Sequence, residues 1–171
     1  SAVEPSFNSI TVDGCMSTND MVTILASGLA GNKRIDTRGK DFETFYKALH
    51  FVCLDLAKKI VLDAEGATKF IEVMVTGAAS RQQAKNAALA IANSSLVKTA
   101  AYGCDPNWGR VAAAVGSLGL KVSEKDLKIR FSSFAKKNIT ITVDLNLGRQ
   151  KTTVYTCDLT LEYVKINGKY N

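Results

Sequence analysis

Few residues of this sequence could do chemistry, and the most unusual of them is Glu65, in the stretch LDAEGATKF. An apolar helical pattern ends there at Gly66, and an apolar strand pattern follows. Gly66 is an ordinary helix stop, because glycine adopts a positive φ without steric penalty. A carboxylate is unfavourable at that end of a helix, since the macrodipole is negative there. Glu65 is therefore either a solvated helix-end acid or an acid that binds a ligand.

Other catalytic arrangements find little support. A histidine-activated nucleophile would have to use His50, the only histidine, which lies inside the helical pattern YKALHFVCLDL. The four cysteines have neither a CxxC pair nor zinc-ligand spacing, so we expect reduced, mostly buried thiols and no metal site; they are Cys15, Cys53, Cys104 and Cys157. A glycine-rich phosphate-binding fingerprint is also lacking in the sequence.

Several polar residues remain, each with an ordinary structural alternative. Lys98 and Thr99 begin a predicted strand and could be an edge pair, and Asn167-Gly168 could be a simple turn. The segment from Asp105 to Arg110, which includes Asn107, could satisfy its own backbone as a turn. The sequence shows no set of acid, base and nucleophile. If the protein is an enzyme, we expect an essential group to lie outside this chain.

Composition indicates one globular body. With 171 residues, of which 46% are hydrophobic, the chain can bury one sizeable core. The net charge of +6 is spread among acids, which argues against a nucleic-acid surface and at most favours a small anionic ligand. The sequence has neither an apolar run of membrane-spanning length nor a signal-peptide pattern. We therefore expect an intracellular protein without a membrane partner, or one whose targeting segment has been removed.

Hydrophobic periodicity predicts an α/β (α+β) sandwich with a mixed part, 1–120, closely associated with a strand-rich part, 121–171, in a single body. A capping box at Ser80 and Gln83 predicts the start of one helix. We expect helices over 21–29, 41–64, 81–92 and 111–118, and strands over 8–12, 69–76, 96–102, 128–131, 138–145 and 152–166, with a hairpin at 146–149.

Six segments together resemble one enzyme family. They are SFNSITVDG followed by STNDMV, DAEGATKFIEV, SSLVKTA, GCDPNWGRVAAAVG and TCDLTLEYVKINGKY. In order and approximate spacing they resemble the β chain of the ornithine acetyltransferase family, the bifunctional enzymes of arginine biosynthesis. The resemblance runs from Ala2 to Tyr170.

The resemblance implies a two-chain acyltransferase. Members of the family are made as one precursor that cleaves itself before a threonine, which then acts as nucleophile with its own α-amino group as base. The acetyl group passes by a ping-pong route from N-acetylornithine to glutamate, and some members also accept acetyl-CoA; no cofactor is implied. The α chain supplies the oxyanion-stabilising groups. The expected assembly is an α2β2 heterotetramer in which the β chain completes its fold, located in the cytoplasm, or in the mitochondrial matrix of a eukaryote.

The resemblance also answers the question about Glu65. Glu65 matches the substrate-binding Glu of the family's EGATK turn, and Asn167 matches a substrate-binding Asn in the terminal INxxY segment. Four more residues lie in family motifs without an assigned role: Lys98, Thr99, Asn107 and Arg110.

Three departures from the family pattern stand out. The nucleophilic Thr is expected upstream of Ser1, Cys15-Met16 replace a common Asp-Thr pair, and the chain stops at Asn171, before a usual hydroxyl residue. Two alternatives follow. Ser1 could itself be the nucleophile of an amidohydrolase, or the chain could be a non-catalytic subunit that binds amino acids.

Overall fold

The computed structural model describes residues 1–169 as a four-stranded sheet with helices on its faces. A short 3-10 helix, Phe7–Ser9, comes first. The helices are α1 (Lys40–Leu62), α2 (Arg81–Ala92), α3 (Ser95–Tyr102), α4 (Trp108–Gly116) and α5 (Leu161–Asn167). The strands are β1 (Phe70–Ala78), β2 (Lys128–Phe131), β3 (Asn138–Asp144) and β4 (Gln150–Cys157).

The strand order of the sheet is β2-β3-β1-β4. β1 pairs with β3 in parallel and with β4 antiparallel, so Val73 lies opposite Ile141 on one side and Val154 on the other. β2 completes the sheet antiparallel to β3. A strand from the first half of the sequence thus lies between two strands from the second half.

The main core lies on one face of the sheet. On that face β1 buries Ile71, Val73 and Val75 completely, as its alternating sequence predicts. α2 packs against β1 and β4 through small side chains, and α4 packs on α2. The other face is covered more sparsely, by a smaller cluster that includes Val61 of α1 and Tyr155 of β4. The C-terminal end of α1, and the turn with Glu65 that follows it, therefore lie on this second face.

The expected α/β class is confirmed, and most of the longer elements lie where the periodicity predicts them. α1, β1, α2, α4, β2 and β3 are found within a few residues of their expected bounds. The predicted cap of α2 is also present, because the Ser80 side chain accepts a hydrogen bond from the Gln83 backbone N–H at 3.1 Å. The helix expected from residue 41 begins at Lys40, with Gly39 as its N-cap.

Two predictions near the N-terminus are wrong. Residues 8–12 form part of the 3-10 helix and a single bridge between Ile10 and Tyr155 instead of a strand. The helix expected over 21–29 is not formed: residues 21–27 have no regular structure, and a bend and a turn follow at 28 and 29. Met21 and Leu25 are 83% and 90% exposed, so nothing among residues 1–169 packs on them to stabilise a helix there.

Three predictions in the rest of the chain are also wrong. Residues 96–102 belong to α3, since the Ser94 side chain caps the Val97 N–H and a short apolar run suits either element. The strand expected over 152–166 ends at Cys157, and Thr160 caps α5 after it. Residues 146–149 do not close a hairpin, because β3 and β4 lie on opposite sides of β1.

Candidate substrate site

Glu65 and Asn167 are brought together, although 102 positions separate them in the sequence. Glu65 lies in the turn between α1 and β1, and Asn167 is the last residue of α5. The Asn167 side-chain amide donates a hydrogen bond from Nδ2 to Glu65 Oε2 at 3.0 Å. Both side chains are exposed, so a ligand can reach them.

The orientation of the Asn167 amide follows from its partners. Nδ2 also donates to the backbone carbonyl of Tyr163 at 3.0 Å. Because Glu65 Oε2 and the Tyr163 carbonyl are both acceptors, the NH2 group must face them and the amide oxygen must point elsewhere. The Glu65 carboxylate and the Asn167 amide oxygen therefore remain as acceptors. A carboxylate in this position suits a ligand that carries an ammonium group.

A second acid, Asp13, lies against the same helix. The Tyr163 hydroxyl donates to Asp13 Oδ2 at 2.7 Å, and the Cys15 N–H donates to Asp13 Oδ1 at 2.8 Å. These hydrogen bonds, the one from Tyr163 above all, lower the pKa of Asp13. The same contact raises the pKa of Tyr163 to about 12. Nothing local in the sequence indicates this contact between Asp13 and α5, because 150 positions separate Asp13 from Tyr163.

Lys98 belongs to α3, and its buried side chain reaches the end of β4 instead of lying on a strand edge. Its ammonium donates to Thr156 Oγ1 at 3.0 Å and to the Cys157 carbonyl, and it lies 3.7 Å from Cys157 Sγ. Burial lowers the pKa of Lys98, against the opposing effect of Cys157 and Asp158. Burial also raises the pKa of the Cys157 thiol. Lys98 thus ties α3 to the strand end that precedes α5.

Thr99, Asn107 and Arg110 join two helices and do not meet the Glu65–Asn167 pair. Asn107 caps α4, with its Oδ1 accepting from the Arg110 N–H at 3.2 Å. The Arg110 guanidinium donates to the Leu96 carbonyl at 2.8 Å and to Thr99 Oγ1 at 3.3 Å. These contacts hold α3 against α4.

The remaining candidates lie elsewhere. His50 is partly buried on α1, where its ring stacks on Tyr46 with 6.1 Å between centroids. Ser1 is exposed. The four cysteines are all free; Cys53 and Cys157 are buried, whereas Cys15 and Cys104 are exposed. Within residues 1–169 no group of three or more His, Cys, Asp or Glu side chains could hold a metal ion.

A sequence model of the ArgJ family matches residues 1–171, the whole chain. The chain belongs to the ArgJ family. It is 48% identical to the arginine biosynthesis bifunctional protein ArgJ of Geobacter sulfurreducens, over 99% of this chain and 48% of that protein. It is 44% identical to the mitochondrial ArgJ of Dictyostelium discoideum, over 99% of this chain and 47% of that protein. The chain therefore spans about half the length of these ArgJ relatives.

The fold agrees with this membership. The crystal structure of ArgJ from Bacillus halodurans superposes with a TM-score of 0.92 at 43% identity, covering 99% of this chain and 89% of that one. The family resemblance seen in the sequence motifs is thereby confirmed. In the part of the chain that the structure describes, no helix has both the length and the apolar character needed to cross a membrane.

Proposed function

We propose that this ArgJ chain is the β chain of a glutamate N-acetyltransferase, which moves an acetyl group from N-acetylornithine to glutamate. The observation that carries the proposal is the 3.0 Å contact between Glu65 and Asn167 in a chain of this family. These are the two residues that the family motifs assign to the substrate. The acid and the amide meet at the surface of the chain, where a small amino acid can reach both of them.

The chemistry of the pair suits these substrates. N-acetylornithine carries a free side-chain ammonium and glutamate carries an α-ammonium, so each substrate has a cation that the Glu65 carboxylate can bind, through a different nitrogen in each. The α-nitrogen of glutamate must lose a proton before it attacks the acetyl group. Charge-assisted hydrogen bonds of this kind are about twice as strong as neutral ones. Asn167 holds the carboxylate in place with one N–H and anchors itself on α5 with the other. In this proposal the pair binds and orients the substrate, and it does not carry the acetyl group.

The nucleophile in the proposal is a threonine upstream of Ser1, freed when a precursor cleaves itself. Its α-amino group acts as base, which is why the reaction needs neither histidine nor metal. The chain covers 48% of the Geobacter protein but 89% of the crystallised Bacillus chain. A crystallised chain of about this extent is in keeping with a precursor that yields two chains. Acetyl-CoA as an alternative donor belongs to the same proposal.

The surface supports a partner chain. The accessible surface is 11407 Å², whereas a compact monomer of 18.4 kDa exposes about 8,200 Å². Large apolar side chains account for part of the excess: Met21, Leu25 and Leu29 lie in the irregular segment, and Phe51 and Leu56 lie on the outer side of α1. Exposed apolar side chains in such numbers are typical of a surface that binds a partner. We propose that the α chain covers it, in an α2β2 assembly.

The test uses the complete precursor, expressed and purified as its two chains. With N-acetylornithine alone, the β chain should gain the mass of one acetyl group, and adding glutamate should remove it and release N-acetylglutamate. Acetyl-CoA replaces N-acetylornithine in a parallel reaction. An enzyme that releases acetate and never acetylates glutamate would instead be an amidohydrolase, and the proposal would be wrong.

A second arm locates the nucleophile. The 171-residue chain, mixed with the α chain but without the segment upstream of Ser1, should show no transfer. Turnover at the rate of the complete enzyme would refute an upstream threonine and would favour Ser1. Binding of amino acids without any turnover of the complete protein would favour a non-catalytic subunit.

A further inference from the structure

Asp158 is a buried acid whose side-chain hydrogen bonds all go to two neighbouring residues, Thr68 and Lys69. Its side chain is 3% exposed. Oδ1 accepts from the backbone N–H groups of Thr68 and Lys69 at 2.8 and 2.9 Å, and Oδ2 accepts from the Thr68 hydroxyl. A carboxylate this deeply buried is tolerated only when it is well hydrogen-bonded. All three donors belong to the two residues that follow the turn of Glu65.

Thr160 holds the same turn from the other side. Thr160 is 4% exposed, and its hydroxyl donates to the Gly66 carbonyl at 2.7 Å. The same oxygen accepts from the Tyr163 N–H at 3.1 Å, which makes Thr160 the N-cap of α5. One hydroxyl therefore joins the backbone beside Glu65 to the first turn of the helix that carries Asn167.

The turn and the helix touch directly where these bonds meet. Gly66 has a φ of +66°, and a Cβ built on it would lie 2.5 Å from the Tyr163 nitrogen. Asn167 reaches the Tyr163 carbonyl one helical turn further on. The distance from Glu65 to Asn167 therefore depends on how closely the turn at Glu65 and Gly66 packs against the first turn of α5.

We propose that Asp158 and Thr160 form a clasp that positions Glu65 for substrate. Both side chains are buried beneath the turn, so they act through Glu65 and are positioning residues. The kinetic part of this proposal rests on the function proposed above, whereas its structural part does not. Asp158 fixes the end of the turn at Thr68 and Lys69, and Thr160 fixes Gly66 to α5.

The decisive variant is Thr160→Val in the complete two-chain enzyme, since valine keeps the shape and removes the hydroxyl. KM for N-acetylornithine and for glutamate should rise about tenfold, with a smaller change in kcat, because binding geometry is disturbed. Thr160→Ser restores the hydroxyl and should restore KM. Ser80→Ala is the matched control, because it removes an N-cap bond from α2, far from Glu65 in the sequence, and should affect melting only.

A double-mutant cycle separates positioning from general damage. Once Glu65→Gln has removed the charge, Thr160→Val should lower kcat/KM by less than about twofold more, since both changes act on one interaction. If the double variant instead loses kcat/KM by the product of the two single-variant losses, the proposal is wrong. A KM increase in Ser80→Ala equal to that of Thr160→Val would also overturn it.

A crystal structure of the Thr160→Val enzyme decides the structural part without any assay. The Glu65 Oε2 to Asn167 Nδ2 distance, 3.0 Å here, should exceed hydrogen-bond range. An unchanged distance overturns the clasp even if activity falls. If Thr160→Val does not fold, Asp158→Asn takes its place in both measurements. A wild-type enzyme that transfers no acetyl group would refute the proposed function, and the crystallographic distance would still decide the clasp.

Discussion

Replacing Glu65 with Gln in the complete enzyme is the sharpest test of the proposed site. Glutamine keeps the shape, and its Oε1 can still accept from Asn167 Nδ2, which lies 3.0 Å from Glu65 Oε2. The substitution therefore removes the charge and little else. A hydrogen bond to a charged group contributes roughly 1.5–3 kcal/mol, which predicts a loss of about ten- to a hundredfold in kcat/KM. Because Glu65 is exposed in this chain, solvent screening favours the lower end.

The assay measures transfer from N-acetylornithine to glutamate, with each substrate varied in turn. Both kcat/KM values should fall, because the two substrates of a ping-pong enzyme occupy one site in succession. Self-cleavage of the precursor should proceed as in wild type, since it needs no free substrate. Glu43→Gln is the matched control: Glu43 lies in the first turn of α1, about 28 Å along the helix from its end.

A solvated helix-end acid predicts the opposite result. In that case Glu65→Gln would leave both kcat/KM values unchanged and would slightly raise stability, because a negative charge is removed from a helix C-terminus. Such an outcome would refute the assignment of Glu65 to the substrate site, while leaving the membership in the ArgJ family untouched.

Three further predictions concern the surroundings of Glu65. Asn167→Ala should lower kcat/KM for both substrates by about tenfold, since the carboxylate loses its orienting donor; the same transfer assay checks this. Gly66→Ala should lower Tm by at least about 2–4 °C, the shift that 1 kcal/mol produces in a chain of this size, because its φ is +66° and its Cβ would meet backbone at 2.5 Å; Gly119→Ala, with a similar φ and open space around it, should lower Tm less. Tyr163→Phe removes the hydroxyl that lowers the pKa of Asp13, and a depressed acid contributes stability above its unfolded pKa of about 3.9 that is lost at lower pH. The difference in Tm between Tyr163→Phe and wild type should therefore be constant from about pH 5 to 9 and should shrink below about pH 4; a difference independent of pH down to pH 2 would contradict it.

The elements that sequence predicts well are those whose own residues determine their type. β1 alternates Ile71, Val73 and Val75 toward the core, and no helix could bury that pattern. α1 is long enough for helical spacing to be unambiguous. α2 has a capping residue that acts within four residues of the chain. In each case the decisive interaction is local, so one sequence suffices.

The elements that sequence predicts poorly depend on partners far away in the chain. Residues 21–29 carry an apolar helical pattern, but within the part of the chain that the structure describes their apolar side chains stay exposed. The turn at 146–149 looks like a hairpin, yet β1, from much earlier in the sequence, lies between the two strands that it joins. The local signal at Thr160, a hydroxyl residue just before LEYV, is legible as an N-cap and could have ended the predicted strand sooner.

The site lies between these extremes. Local pattern favours a solvated interpretation of Glu65, and only the family motifs single out Asn167. What the structure adds is the absence of a counter-charge: among residues 1–169, none of the ion pairs includes Glu65. In the proposed function, the substrate ammonium is the cation that pairs with this carboxylate, and the neutral amide of Asn167 orients it. Because no ion pair competes for the Glu65 carboxylate among these residues, the proposal expects this position to favour an ammonium group over a neutral ligand.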